Sequence, residues 1–185
     1  MLSLQYNITK EDYINYYSYV TWDAPENRKK RMIHYGRQLL PIIFFLFAFY
    51  YTGLFERNRF FILLIAGFLI LTSVLSLLGI RSIIVKQATK IADNPANSSL
   101  FLTASLVISE TGILLKDDLK EEKYQWRAFI KKQESGQCYF LFINAIQALI
   151  IPKRLFSSAE EKQLFEKLLQ QHLSFDAELG HLLKS

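Results

Sequence analysis

Two long apolar runs dominate the pattern of hydrophobic and polar positions along this chain. Residues 38–55 give 18 consecutive positions without a charge, and residues 60–80 give 21 more. At about 1.5 Å rise per residue, helices over these runs would be about 27 and about 31 Å long, close to the ~30 Å hydrocarbon core of a bilayer. Only residues 56–59 separate them. The pattern therefore predicts a transmembrane hairpin of two helices, the second one extended beyond residue 80.

After residue 98 the pattern changes to a period of two. The even positions between 100 and 108 are apolar, which is typical of a half-buried strand. Further strands are predicted over 113–115, 123–131, 137–143 and 145–151. Two overlapping capping boxes, Ser157 and Ser158 followed by Glu160 and Glu161, then start an amphipathic helix. The predicted fold class is α+β: a two-helix transmembrane hairpin plus a small antiparallel β domain capped by a C-terminal α-helix.

These patterns divide the chain into four parts, with Pro95 as the breaker before the β domain. The predicted parts are an amphipathic and basic amino-terminal arm (1–37), the transmembrane hairpin with its helical extension (38–92), the β domain with its C-terminal helix (98–173) and a tail (174–185). We expect the β domain to fold without residues 1–95.

A short helix is predicted in the amino-terminal arm, because Thr9 can cap it and acidic residues follow at once. Tyr13, Tyr16 and Tyr17 share one face of this helix. Tyrosine rings favour the headgroup layer of a membrane, and they also fill protein cores. Two interpretations follow: the helix lies on the membrane, or it packs on the β domain.

Charge is concentrated before the first apolar run. The net charge is +5, and residues 96–185 are neutral, so the basic balance gives no argument for nucleic acid. We predict a membrane surface or anionic lipid as the ligand of a block of five basic residues: Arg28, Lys29, Lys30, Arg31 and Arg37. Eight basic residues flank the outer ends of the two runs and two lie between them. This asymmetry predicts that both termini face the cytoplasm.

The sequence offers little catalytic chemistry. Neither apolar run contains an ionisable residue, which argues against a transporter or an intramembrane protease. Cys138 is the single cysteine and the three histidines lack metal-ligand spacing, so we predict no catalytic, cofactor or metal site and no enzyme activity. Lys153 and Arg154 follow the last strand. They either contact a phosphate or an acidic group of a partner, or form a solvated corner.

Three stretches resemble one known family. They are Thr9-Lys10-Glu11-Asp12-Tyr13 with Pro25 and the basic block, the two apolar runs, and the segments from Tyr124-Gln125-Trp126 through Tyr139-Phe140-Leu141-Phe142 to Ile151–Ser158. Together they resemble the YcxB-like family of bacterial membrane proteins. The resemblance implies a C-terminal pleckstrin-homology-like domain and a multi-pass protein of the bacterial inner membrane. It implies neither a known activity nor catalytic residues.

The function predicted from these features is a membrane-anchored, cytoplasmic-facing interaction module without catalysis. Its expected partners are the lipid bilayer, an unidentified protein and anionic lipid, with self-association as a further candidate and no nucleic acid. The alternative is an immunity or regulatory protein that acts through its transmembrane helices on a target in the membrane.

Overall fold

The computed structural model describes residues 1–52, 59–118 and 120–173, except for the side chains at positions 59 and 61. The predicted tail 174–185 and most of the polar bend between the apolar runs lie outside these residues. The helices are α1 (Lys10–Ser18), α2 (Arg28–Tyr51), α3 (Arg59–Ala92) and α4 (Ala159–His172). The strands are β1 (Leu2–Tyr6), β2 (Ala104–Ser109), β3 (Gly112–Lys116), β4 (Glu121–Gln125), β5 (Lys131–Glu134), β6 (Cys138–Phe142) and β7 (Ala148–Pro152).

The strands form two antiparallel sheets, one with the order β1-β2-β3-β4 and one with the order β5-β6-β7. With two apolar helices and a C-terminal helix, this arrangement confirms the predicted α+β fold class. The period of two is visible in β2, where Ala104, Leu106 and Ile108 are buried. All five residues of β6 are buried, as expected for the central strand of its sheet.

The strand predicted over residues 123–131 is in fact two strands in different sheets. A short 3-10 helix, Trp126–Ala128, separates β4 from β5. Its tryptophan is buried, and the indole N–H donates a hydrogen bond to the carbonyl oxygen of Ser109 at 2.9 Å. Because this anchor turns the chain from one sheet to the other, the alternation of apolar residues continues while the strand does not.

The first strand was missed in the sequence. Leu2, Leu4 and Tyr6 of β1 are buried, and β1 pairs with β2 so that Leu4 lies opposite Leu106. The Tyr6 hydroxyl donates a hydrogen bond to the carbonyl oxygen of Ile150 at 2.8 Å. The sheet domain therefore contains residues from both ends of the chain, and a fragment without residues 1–95 would lack β1; whether it folds stays a prediction.

The chain divides into two compact units at residues that differ from the predicted boundaries. The first unit consists of Met1–Tyr16 and the chain from Thr89 onward, and the second of Tyr17–Ala88. The first unit has one hydrophobic core, to which β1, both sheets and α4 contribute. Within it, the Tyr16 ring contacts Phe140 edge to face at 5.6 Å. Of the two interpretations of the arm, packing on the β domain therefore holds for residues 10–16.

The second unit contains most of the two long helices. The segments Pro25–Tyr51 and Ile62–Ala92 are long and apolar enough to cross a membrane. Helix α2 begins at Arg28, ten residues before the apolar run, so Pro41 lies in the helix interior. Gln38 joins the two helices: its side chain donates to Ser76 Oγ at 3.0 Å, and its carbonyl oxygen accepts from Ser73 Oγ at 3.3 Å.

Candidate functional site

The basic block lies at the beginning of α2, where a helix favours acidic residues. Arg28, Lys29 and Lys30 occupy the first turn, which contains no acidic residue. Unsatisfied amide groups give this end of a helix a partial positive charge, so each cation there costs a few tenths of a kcal/mol, about 0.3–1. The block therefore opposes the stability of the helix.

Two residues of the block hold the segment that precedes α2. Lys30 Nζ donates to the carbonyl oxygen of Thr21 at 3.3 Å. Arg31 donates to the carbonyl oxygens of Trp22 and Ala24, the latter at 2.9 Å. These carbonyls belong to the π-helical turn Tyr19–Asp23 and the residue after it, and their negative ends partly compensate the cations.

The other three residues of the block, Arg28, Lys29 and Arg37, are exposed. Arg37 lies two turns further along α2, on the same face as Lys30, because residues seven apart return to one side of a helix. In the structure, Arg28 and Lys29 of the predicted membrane-contact set are exposed and Lys30 and Arg31 bind backbone carbonyls, while Lys30 and Arg37 line a cleft.

That cleft lies within the second unit, between α2, α3 and the π-helical turn, and has a volume of about 660 Å³. One side carries Lys30, His34 and Arg37, and the other side is formed by the apolar residues Ile80, Ile83 and Ile84 of α3. Along α2 the cleft extends as far as Gln38, the first residue of the apolar run.

Aromatic packing fixes the wall that closes the cleft. The Trp22 and His34 rings lie edge to face with centroids 5.5 Å apart, and the Trp22 and Tyr35 centroids are 6.2 Å apart. His34 Nε2 is buried and has no hydrogen-bond partner within the part of the chain that the structure describes. The wall therefore encloses a polar atom whose hydrogen-bonding capacity is unused.

The predicted contacts at Lys153 and Arg154 have partners inside the protein. Lys153 Nζ lies 2.6 Å from Glu134 Oε1, and the pKa of Glu134 is lowered by this hydrogen bond and charge. Lys153 also lies over the Tyr139 ring, 5.2 Å from its centroid. A phosphate or partner at these residues would have to compete with such contacts. This prediction stays untested.

Arg154 makes a two-pronged ion pair with Asp12. Its Nη1 and Nη2 lie 2.7 and 2.6 Å from the two carboxylate oxygens, and Nη2 also donates to the carbonyl oxygen of Asn7 at 3.1 Å. The Asp12 carboxylate also accepts from the Thr9 amide and hydroxyl at 2.8 Å each. Burial raises the pKa of Asp12, but the bonds from Arg154 and Thr9 outweigh it, so its pKa is lowered.

Cys138 lies beside this pair in the core. Its thiol donates to Asp12 Oδ1 at 3.5 Å. Burial and the neighbouring carboxylate raise the pKa of the Cys138 thiol to about 12. A protonated, buried thiol is a poor nucleophile. Within residues 1–52, 59–118 and 120–173, no three His, Cys, Asp or Glu residues lie close enough together to hold a metal ion.

Sequence reasoning missed the cleft, although a signal for it was present. Residues 30, 33, 34, 37 and 38 follow the spacing of one helical face, and so do 80, 83 and 84. What the sequence did not show is that α2 begins at Arg28. If the helix started at residue 38, these positions would not form a face.

Fold and site define an α+β protein with two candidate membrane-spanning helices, whose sheet domain is assembled from both sides of the hairpin. Residues 108–169, about a third of the chain, match the model of the YcxB-like protein family. This match confirms the resemblance inferred from Tyr124–Trp126, Tyr139–Phe142 and Ile151–Ser158, which lie inside it. No curated protein and no solved structure matches the chain.

Proposed function

We propose that this protein is a membrane-anchored interaction module of a bacterial inner membrane, with its hairpin in the bilayer and its sheet domain in the cytoplasm. The observation that carries the proposal is the exposure of the apolar helices. Phe44 of α2 and Leu78 of α3 are 74% and 71% exposed. Helices in the core of a water-soluble protein would be buried. In the most apolar stretches of Pro25–Tyr51 and Ile62–Ala92, only 0% and 6% of the residues are buried.

The proposed orientation follows from charge. Basic residues are concentrated at the beginning of α2 and in the last third of α3, and such residues remain preferentially on the cytoplasmic side. The sheet domain continues directly from these ends through α1 and the end of α3. The hairpin would therefore hold the domain beside the inner leaflet.

The order of a four-stranded sheet, a three-stranded sheet and a C-terminal helix supports a pleckstrin-homology-like domain, as the family resemblance implies. Such a small domain has room for one core and a binding surface. We propose that it works by binding a protein partner, with anionic lipid as a second ligand, and without catalysing a reaction.

Fractionation and reporter fusions test the placement. The full-length chain should remain in the membrane pellet after alkaline carbonate extraction. Green fluorescent protein should fluoresce when it is fused to either terminus, and alkaline phosphatase at the same positions should be inactive. Active phosphatase at either terminus, or a chain released by carbonate, would disprove the anchored cytoplasmic arrangement.

Photo-cross-linking in native membranes separates the domain from the hairpin as the binding element. One probe replaces Ile146, which is 70% exposed between β6 and β7, and the other replaces Phe44 on α2. The proposal expects a defined protein adduct at position 146 that persists when residues 38–80 are exchanged for an unrelated hairpin. An adduct at position 44 only, lost on exchange, would instead favour action through the transmembrane helices.

A further inference from the structure

We propose that the cleft between α2 and α3 binds one anionic phospholipid, with the phosphate at Lys30 and Arg37, beside His34, and the upper acyl chain against Ile80 and Ile83. This inference rests on the membrane placement proposed above and deepens it, because it distinguishes a discrete lipid site from general attraction to a charged surface.

The first argument is charge complementarity at a defined place. Lys30 and Arg37 line the cleft, and no described acidic side chain does. His34 lines the cleft between these two cations along α2 and adds no negative charge. Arginine and lysine beside a phosphate form charge-assisted hydrogen bonds.

The second argument is that the cleft combines a cationic side with an apolar side, as the binding site of a phospholipid requires. Across from the cations, Ile83 of α3 is 56% exposed and Ile80 is half-buried. A free phosphate ion would leave this apolar surface in water, whereas an acyl chain would cover it. A volume of about 660 Å³ is in the range of small-molecule sites and accommodates a headgroup with the beginning of its chains.

The third argument is depth. The cations occupy the polar part of α2, and the cleft ends at Gln38, where the apolar run begins. Trp22 forms part of the wall, and tryptophan favours the boundary between headgroups and acyl chains. The cations and the apolar wall would therefore lie at the same depths in the membrane as the phosphate and the acyl chain of a neighbouring lipid.

Quenching of Trp22 by brominated lipid tests the site in full-length protein reconstituted into nanodiscs. Trp22 and Trp126 are the two tryptophans, so Trp126→Phe leaves Trp22 as the reporter. Brominated phosphatidylglycerol and brominated phosphatidylcholine are titrated separately into phosphatidylcholine discs. From the quenching of Trp22 we expect an apparent affinity for brominated phosphatidylglycerol that is about fivefold or more higher than for brominated phosphatidylcholine. This is the difference expected from one cation near an anionic lipid.

Charge-matched variants distinguish the cleft from general surface charge. Lys30→Gln with Arg37→Gln should abolish the preference. Arg81→Gln with Lys86→Gln removes the same charge from exposed positions of α3 outside the cleft and should retain the preference. Equal losses in the two pairs, or no preference in the parent protein, would overturn the proposal. Arg37→Gln alone serves as a second variant, because Lys30 also holds the carbonyl of Thr21.

Two further arms identify the ligand's source. Millimolar inorganic phosphate should not relieve the quenching, and Ile83→Ser should weaken the quenching of Trp22 by both brominated lipids whereas Leu78→Ser should not. Relief by phosphate, or indifference to Ile83→Ser, would mean a phosphate-ion site and overturn the lipid assignment. Native mass spectrometry of the unmodified chain provides a measurement without Trp126→Phe: it should show one retained anionic phospholipid, lost in the Lys30→Gln and Arg37→Gln protein. Carbonate extraction of the same samples tests the anchoring independently.

Discussion

The ion pair between the buried Asp12 carboxylate and Arg154 is predicted to hold the amino-terminal segment in the sheet domain. The Asp12 side chain is 1% exposed, and the two partners are separated by 142 residues that include both apolar helices. The pair therefore closes the domain across the inserted hairpin. Its loss should loosen α1 and β1 together, because Thr9 and Asp12 also cap α1 through mutual hydrogen bonds.

The magnitudes follow from which charge is left without a partner. Arg154→Met leaves a buried carboxylate, and breaking a buried pair in this way costs about 3–5 kcal/mol. Asp12→Asn leaves a guanidinium whose side chain is 44% exposed and can be rehydrated, so we expect a smaller loss of about 2 kcal/mol. The double variant should be less destabilised than the sum of the two, with a coupling energy of about 1–3 kcal/mol.

Denaturant unfolding of the full-length protein in mild detergent measures these losses. Trp22→Phe leaves Trp126, which stacks on His172 of α4 at 5.3 Å and reports on the sheet domain. The control is Lys10→Met, which breaks the exposed pair with Asp93 and should cost less than about 1 kcal/mol. If Arg154→Met cost no more than Lys10→Met, the pair would not be a structural link and this reasoning would be refuted.

The same pair predicts a dependence on pH whose sign can be checked. Because the pKa of Asp12 is lowered on folding, its contribution is present above its ordinary value of 3.8 and is lost as the pH falls through the folded value. In Arg154→Met, burial is opposed only by the two hydrogen bonds from Thr9, so the pKa of Asp12 should be higher than in the parent protein and acid should cost the variant less stability. The difference in unfolding free energy between the two proteins should therefore shrink below about pH 4. A constant or growing difference would contradict this.

Three further predictions concern the sheet domain. Leu4→Ala should lower the free energy of unfolding by about 2–4 kcal/mol, because the Leu4 side chain is buried in the core. Gln5→Ala in the same strand should lower it by less than about 0.5 kcal/mol. The same denaturant assay measures both. Gly112→Ala should destabilise by at least about 2 kcal/mol, because φ is +147° and an added Cβ would lie 2.1 Å from the Tyr124 carbonyl oxygen; an unchanged melting temperature would contradict this. Cys138 should react with a thiol reagent at pH 8 only after denaturation, because it is buried and its pKa is about 12; rapid labelling of the native protein would show the core to be open.

The outcomes at particular residues show how far sequence reasoning reached. Ser158 is the N-cap of α4, and its hydroxyl accepts a hydrogen bond from the Glu161 amide at 3.2 Å. This cap could be predicted from the sequence because it depends only on residues three apart. Strand β6, Cys138–Phe142, lies within the strand predicted over residues 137–143. Arg154 was recognised as a residue of interest, but its partner Asp12 was assigned only to a helix start, since nothing local indicates a contact 142 residues away.

The sequence by itself determined the types of element and the existence of an apolar hairpin, because periodicity, capping and run length are local properties of the chain. The tertiary structure alone decided that β1 belongs to the sheet of β2, that residues 123–131 serve two sheets, and that the basic block faces an apolar wall on α3. Strand pairing and side-chain packing join segments that are far apart in the chain. The apolar face of a single segment could pack against many partners, and only the complete fold selects one of them.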